Sequence, residues 1–352
     1  MSISEMSATP AATGAPNPTP DRIVQLGYGF WGARALHSAV ELGVFTVLAH
    51  GPLDADALRV RVGLHPRGAR DFFDALVALG MLQRTDGRYA NTPETDLFLD
   101  RAKPSYIGGL LELADSIYSR WVSLTQALRT GEPQTPQDGG GFFQALYADP
   151  VRLRGFLRGM TGASLVAAEP LVRDFPWAKY RTFADIGTAQ GCVPVALSHA
   201  HPHLRGIGLD LPPVQPIFEE YVASSGLSDR IGFQAADFFL DPLPSAEVLI
   251  MGQILQDWDL EQKRLLISKA YAALPEGGAL IVYEPMIDDE RRHNAFGLLM
   301  SLNLQVSLFG GFSATGAEIR GWLRDAGFRE TSLRHVVGTG SNVVWSMVVG
   351  IK

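Results

Sequence analysis

The chain is almost free of cysteine, with Cys192 the one residue of its kind in 352. An intrachain disulfide is therefore excluded, and so is a cysteine-based metal site. Cationic charge is also scarce: 30 Lys and Arg stand against 37 Asp and Glu, for a formal net charge of −7. No dense Lys/Arg run is present, so the chain lacks the usual electrostatic grip on nucleic-acid phosphates. No uninterrupted apolar stretch reaches the ~18 residues of a membrane-spanning helix. The first twenty residues are rich in Ala, Ser, Thr and Pro. They have neither the basic start nor the apolar centre of a signal peptide and read as a disordered tail. These absences predict a cytoplasmic protein with no nucleic-acid, membrane or metal partner. What remains is ordinary in bulk, 46% hydrophobic and 19% charged, and long enough for two cored domains.

Positions 25–48 carry apolar residues at helical spacing, through Phe30, Trp31, Ala35, Leu36, Ala39, Val40 and Leu42, until Gly43 breaks the pattern. A short helix over 54–62 follows, then another from Pro66 to about Leu79, with Pro66 suited to a first turn. Asp86-Gly87 between two short extended runs is a hairpin signal. Three helices and a hairpin make a winged helix, a fold that can bind DNA. Here the helix after Pro66 sets Arg67 and Arg70 beside Phe72, Phe73, Leu76 and Val77. With an acidic chain, that surface suits dimerisation better. Residues 104–178 read as further helices around a polar loop at 130–141. Their Phe142, Phe143, Tyr147, Phe156, Leu157, Met160 and Leu165 serve either a core or a cavity wall, and spacing does not separate the two.

After Tyr180 the pattern becomes strands at 182–186, 204–209, 231–235, 248–251 and 279–283, alternating with helices. This predicts an α/β domain with a parallel sheet and a ligand site beyond the carboxyl ends of its strands. Asp210 ends the second strand, where a carboxylate can accept from both hydroxyls of a ribose. Asp237 ends the third, where it can accept from an exocyclic amine, with Phe238 available to a purine. Gly187 and Gly191 free the backbone of the first turn. The third glycine of a dinucleotide motif is absent, since its position holds Pro194. A single nucleoside fits better. Acidic residues end many strands as plain turn formers, so the argument rests on their register.

Phe183 to Gly191 (FADIGTAQG) resembles the S-adenosylmethionine (SAM) motif of the plant and bacterial small-molecule O-methyltransferases. Leu209-Asp-Leu-Pro-Pro213 is similar to that family's ribose segment, and Ala236-Asp-Phe-Phe239 to its adenine segment. Leu255-Gln-Asp-Trp-Asp259, Leu274-Pro-Glu-Gly-Gly278 and Val282-Tyr-Glu284 resemble its later blocks, and positions 89–109 an earlier one. The resemblance implies a Rossmann-like class I methyltransferase domain over 179–352, a winged-helix dimerisation domain over 21–103 and a helical linker over 104–178. The tail covers 1–20. It implies SAM as cofactor, a homodimer, and SAM contacts at Gly187, Asp210, Asp237 and Phe238, to which Asp185, Gly191, Leu211, Gly252 and Gln253 are added from the same turns.

The family's general-base histidine is replaced by Gln256, whose amide cannot take a proton at neutral pH. Glu284 matches one of the family's two flanking acids. The other falls near Gly310-Gly311, where Phe312 and Ser313 stand instead. Gln256, Asp257 and Glu284 are the catalytic candidates; His293, Tyr118 and Asp115 are weighed with Asp257 as substitute bases. The substrate pocket is expected from Tyr118, Trp121, Phe156, Met160, Asn303, Ser307 and Ser313. His199-Ala-His-Pro-His203 looks like a metal motif but falls in a turn away from the ligand edge. The expected activity is methyl transfer to a small secondary-metabolite acceptor that needs no histidine base: an acidic hydroxyl, an enol carbon or an amine. The alternative is a pericyclase- or hydroxylase-like enzyme using SAM as an electrostatic element. A SAM-sensing DNA-binding regulator is disfavoured by the charge.

Overall fold

The computed structural model describes residues 18–134, 141–337 and 344–352. The expected tail lies outside them up to residue 17, as do residues 135–140 of the polar loop. Helix α1 (Asp21–Glu41) ends just before Gly43, whose φ of +69° stops it and starts α2 (Val44–Leu48). Strand β1 (Leu53–Asp54) leads into α3 (Ala55–Arg61), capped by the Asp54 carboxylate, which accepts from the Ala57 N–H at 2.8 Å. Helix α4 (Pro66–Ala78) has Pro66 in its first turn. The hairpin of β2 (Leu82–Thr85) and β3 (Arg88–Asn91) turns on Asp86 (φ 51°) and Gly87 (φ 78°), the paired left-handed residues of a two-residue turn. β1 completes a three-stranded sheet. Phe45, Leu58, Phe73, Leu76 and Tyr89 fill this winged helix. Outside it, α1 leaves Ile23 77%, Leu26 83% and Trp31 62% exposed, an apolar face that none of the described residues covers.

Helices α5 (Pro93–Leu99), α6 (Gly108–Trp121), α7 (Leu124–Thr130), α8 (Gly141–Tyr147) and α9 (Pro150–Asp174) follow. Then β4 (Thr182–Ile186), α10 (Cys192–Ala200), β5 (Arg205–Asp210), α11 (Gln215–Ser224), β6 (Ile231–Ala235), β7 (Val248–Gly252), α12 (Leu260–Ala273) and β8 (Ala279–Glu284) alternate as expected. Helices α13 (Ala295–Ser307) and α14 (Gly316–Asp325) precede two strands that the pattern did not reveal, β9 (Glu330–Val337) and β10 (Val344–Ile351).

The sheet therefore runs β6-β5-β4-β7-β8-β10-β9. It is parallel from β6 to β8 and antiparallel at β10 and β9. The five strands expected from the sequence are parallel as read, and the two unread strands make the whole sheet mixed. The physical reason lies in β9, which carries Glu330, Arg334 and His335. An edge strand needs no continuous apolar run, so it lacks the signature of strands buried on both faces. One core, including Leu249, Met251, Leu266, Ile267 and Leu323, covers one face of the sheet. A second, including Phe183, Trp177, Ile250 and Ile281, covers the other. No helix among the described residues is long and apolar enough to cross a membrane.

Candidate active site

Strand order reverses at β4, which lies between β5 and β7, and a cavity opens at the carboxyl ends of these strands beneath α8 and α9. The first turn leaves β4 through Gly187 (φ +71°), where a Cβ would meet Ile254 Cδ1 at 2.3 Å. A side chain is excluded there both by conformation and by space. Asp185, only 5% exposed, accepts from the Thr188 hydroxyl at 2.9 Å. Burial pushes its carboxyl up to about 7; the Thr188 bond opposes this and the charge of Asp210 adds to it.

Asp210 is the last residue of β5. Its Oδ1 accepts from the Leu211 N–H at 2.8 Å and the Tyr147 hydroxyl at 3.0 Å, and its Oδ2 from the Ala189 N–H at 3.0 Å. Burial still raises it to about 6, against those bonds. Tyr147 is itself pushed up, by burial and by the carboxylate beside it. Asp237 accepts from the Phe239 N–H at 2.8 Å, and the ring of Phe238 meets Phe239 and Trp258 edge-on. Gln253 holds a φ of +57°, unusual for a residue with a side chain, and donates from Nε2 to Ser164 at 3.3 Å.

Four carboxylates, of Asp185, Asp210, Asp237 and Asp257, line this cavity, and among the described residues no Lys, Arg or His does. Such a wall repels phosphates and favours a cation. A sulfonium-bearing nucleoside fits that donor set; a dinucleotide does not.

At the other end, a single helical turn over Leu255–Asp257 brings the altered motif to the site. Gln256 is 4% exposed, its N–H donates to Glu284 Oε2 at 3.2 Å, and its carbonyl accepts from the Phe312 N–H at 2.8 Å. Gln256 Oε1, Glu284 Oε1, Ser313 Oγ and Trp258 Nε1 are buried without a protein partner. Glu284 is pushed up to about 7 by burial, with Lys263 and the Gln256 N–H opposing. Asp257, unlike Gln256, lines the cavity. Burial raises it to about 8, with the charge of Glu284 adding and that of Lys263 opposing.

Lys263 was not singled out from the sequence. It is fully buried, its ammonium donates to the carbonyls of Trp258 and Phe312 (the latter at 3.1 Å), and it sits 3.4 Å from the centre of the Phe312 ring. It thereby ties the Gln256–Trp258 turn to the segment bearing Ser313. Its burial lowers it to about 8, although Glu284, Asp257, Asp259 and Glu318 all favour its charge. A signal existed, since Lys263, Leu266, Ile267 and Ala270 share one helical stripe. Tyr147, read as core or wall, left no comparable sign of its bond to Asp210.

Of the other expected residues, Leu211, Phe156 and Met160 line the cavity beside Gly187, Asp237, Phe238 and Gln253. Gly191 (φ +87°) and Gly252 stand outside that lining. A Cβ would meet Phe218 at 2.6 Å at the first and Tyr283 at 2.1 Å at the second. Trp121 Nε1 donates to Asn303 at 3.0 Å and Arg120 to Ser307 at 3.0 Å, joining α6 to α13 away from the cofactor cavity. Tyr118 is 37% exposed. His293 is an exposed partner of Glu290 at 3.4 Å, and nothing is described of the Asp115 side chain. The rings of His201 and His203 bond the carbonyls of Val172 and Trp177 at 3.0 and 3.2 Å, a structural use of the apparent metal motif.

Residues 121–329 match the O-methyltransferase domain, and residues 24–101 the O-methyltransferase dimerisation domain. The tetracenomycin polyketide synthesis 8-O-methyltransferase TcmO of Streptomyces glaucescens is 47% identical over 91% of this chain and 94% of its own length. The N,N-dimethyltransferase OxyT of Streptomyces rimosus is 38% identical over 92% and 94%. Human N-acetylserotonin methyltransferase, solved in complex with SAM, superposes with a TM-score of 0.86 at 26% identity, covering 97% of this chain and 99% of that one. The uncovered apolar face of α1 lies in the dimerisation domain, as a homodimer requires. With its carboxylate-lined cofactor cavity and its paired domains, this chain belongs to the O-methyltransferase family of SAM-dependent small-molecule methyltransferases.

Proposed function

We propose that this methyltransferase acts on a hydroxyl of a polyketide-derived aromatic acceptor and that Asp257, in place of a histidine, takes the proton. Bound SAM supplies an activated methyl group. The chain's own residues hold the acceptor, exclude water and accept the proton. The observation that carries this reading is the exchange of places between neighbours: Asp257 lines the cavity, whereas Gln256 is turned into the protein. A carboxyl near 8 lies close to the working pH and within about two units of a phenol, where proton transfer is efficient. Gln256, Glu284 and Ser313 stand outside that lining, and each keeps a buried side-chain oxygen without a partner among the described residues. The 47% relative, named for 8-O-methylation of a polyketide, supports the acceptor class.

Replacing Asp257 by Asn should lower kcat about 100-fold for an ordinary phenol, the lower end of what a general base contributes. The loss should be much smaller for a nitrophenol already ionised at the assay pH. Equal losses for both acceptors would remove the base role. A second reading, an amine acceptor that needs no base, is supported by the relative named as an N,N-dimethyltransferase. It would be distinguished by turnover that rises as the amine loses its proton and is indifferent to Asp257→Asn. One S-adenosylhomocysteine released per product separates either reading from a spectator role for SAM. We further place the enzyme in the cytoplasm, with neither nucleic acid nor membrane as partner. We divide it into a tail to residue 20, a dimerisation domain to 103, a helical linker to 178 and a cofactor domain from 179.

A further inference from the structure

Arg120, near the end of α6, is a partly buried cation with no carboxylate partner among the described residues. Its Nη1 donates to Ser307 Oγ at 3.0 Å, and its guanidinium lies 5.3 Å from the centre of the Phe142 ring. Burial, and after it the like charge of Arg152, pulls the guanidinium below its ordinary value. Withdrawing a guanidinium from water without a counterion is costly, and an arriving anion offsets that cost.

The position is informative. The Phe142 ring packs on Phe143 and Phe156 with centroids 5.2 and 6.1 Å away, and both of those line the cavity. The guanidinium therefore stands one ring behind the cavity wall, outside the carboxylate-lined cofactor region. Helix α13 gives the spacing. Its Ser301 accepts from the Ser313 N–H at 3.3 Å, beside the bond from the Phe312 N–H to Gln256, and its Ser307 holds Arg120. Six residues of helix separate these two points, roughly 9 Å. Opposite substituents of two or three fused rings span that distance.

We infer that Arg120 is a specificity-determining residue that binds a carboxylate on the acceptor, at the far end of a fused-ring system from the hydroxyl that is methylated. Ser307 orients the guanidinium and leaves the rest of its planar fork for the anion. The inference rests on the aromatic-hydroxyl reading for the nature of the acceptor and adds the acidic group and its distance.

The test uses the full-length protein saturated with S-adenosylhomocysteine and measures binding by titration calorimetry, so no turnover is needed. The probes are 6-hydroxy-2-naphthoate, its methyl ester and 2-naphthol. The acid should bind at least about tenfold more tightly than either neutral probe, as a charge-assisted bond to a partly buried cation would give. Arg120→Gln should erase that preference without weakening 2-naphthol, and Arg120→Lys should keep part of it. Both variants should melt within a few degrees of the parent, which separates lost recognition from lost fold. Equal binding of acid and ester by the parent, absence of acid binding, or a preference that survives Arg120→Gln would each overturn the inference. Methyl transfer is scored separately. A preference for the acid with no methylation of any of the three hydroxyls would leave Arg120 as the anion site and refute the aromatic-hydroxyl reading. Methylation of 2-naphthol and of the acid with equal efficiency would do the reverse.

Discussion

The two ends of the cavity are made differently. At the cofactor end the functional groups come from successive strand-to-helix turns and are already satisfied. Asp185 holds Thr188, Asp210 holds two N–H groups and a tyrosine, and Asp237 holds the Phe239 N–H. At the acceptor end they come from a helical turn, a strand end and a segment after α13, and Gln256, Glu284 and Ser313 each leave an atom unpaired. Leaving such atoms unpaired costs stability that a bound partner restores. One end is a finished mould for an invariant ligand. The other keeps three buried oxygens unpaired among the described residues.

The comparison can be broken most forcefully at Asp210. Asp210→Ala removes a charged acceptor for the ribose and should weaken SAM binding by about 3–5 kcal/mol, two charge-assisted bonds, as read by calorimetry. Acceptor binding measured with S-adenosylhomocysteine at saturation should change little. If both ligands weaken equally, the two ends are not separate. Lys263→Met tests the acceptor end in turn. Losing a buried cation that ties two loops and faces two carboxylates should cost on the order of 3 kcal/mol in urea unfolding. It should raise the KM of the acceptor more than the Kd of SAM. An unchanged unfolding curve would mean that the clamp carries no stability.

The pH dependence sharpens the contrast. Asp185, Asp210, Asp257 and Glu284 sit at about 7, 6, 8 and 7, all raised above the values near 4 of an unfolded chain. A raised acid stabilises the fold fully below its unfolded value, and that stability is lost as pH rises through the folded one, because the unfolded chain sheds its proton first. The ligand-free protein should therefore melt at a lower temperature at pH 8.5 than at pH 6. The rise in melting temperature produced by SAM should grow over the same interval, as the carboxylates around the cation ionise. A ligand-free melting temperature that does not fall would contradict the burial of these groups.

The smallest effect concerns Tyr147. A carboxylate has about four acceptor sites, and Asp210 already uses three, one of them for this hydroxyl. A ribose diol needs two, so the hydroxyl must yield. Tyr147→Phe should tighten SAM binding a few-fold by calorimetry. Weakening instead would show that the hydroxyl helps to bind the cofactor rather than competing with it.

Much of this was legible in the sequence. The helices and strands from 21 to 91 and from 182 to 284 follow from hydrophobic period and from turn residues such as Gly43 and Asp86-Gly87. The cofactor residues fall at strand ends, where local pattern locates them to within a residue. Strand β9 escaped because an edge strand need not show a continuous apolar run, whereas β10 is apolar at Val344, Trp345, Met347, Val348 and Val349 and follows no helix of the alternating pattern. The sequence places Asn303, Ser307 and Trp121 in the pocket region, yet the bonds across α6 and α13 that pair Trp121 with Asn303 and Arg120 with Ser307 have no local signature.

By itself, then, the chain's order of residues determined the alternating architecture and the class of cofactor, because each depends on neighbours close in sequence. Only the tertiary structure decided that Asp257 faces the cavity while Gln256 turns inward, that Tyr147 occupies Asp210 across 63 positions, and that Lys263 closes onto Phe312 across 49. Burial, and with it the proton affinity of each carboxyl, is a property of surroundings that distant segments assemble.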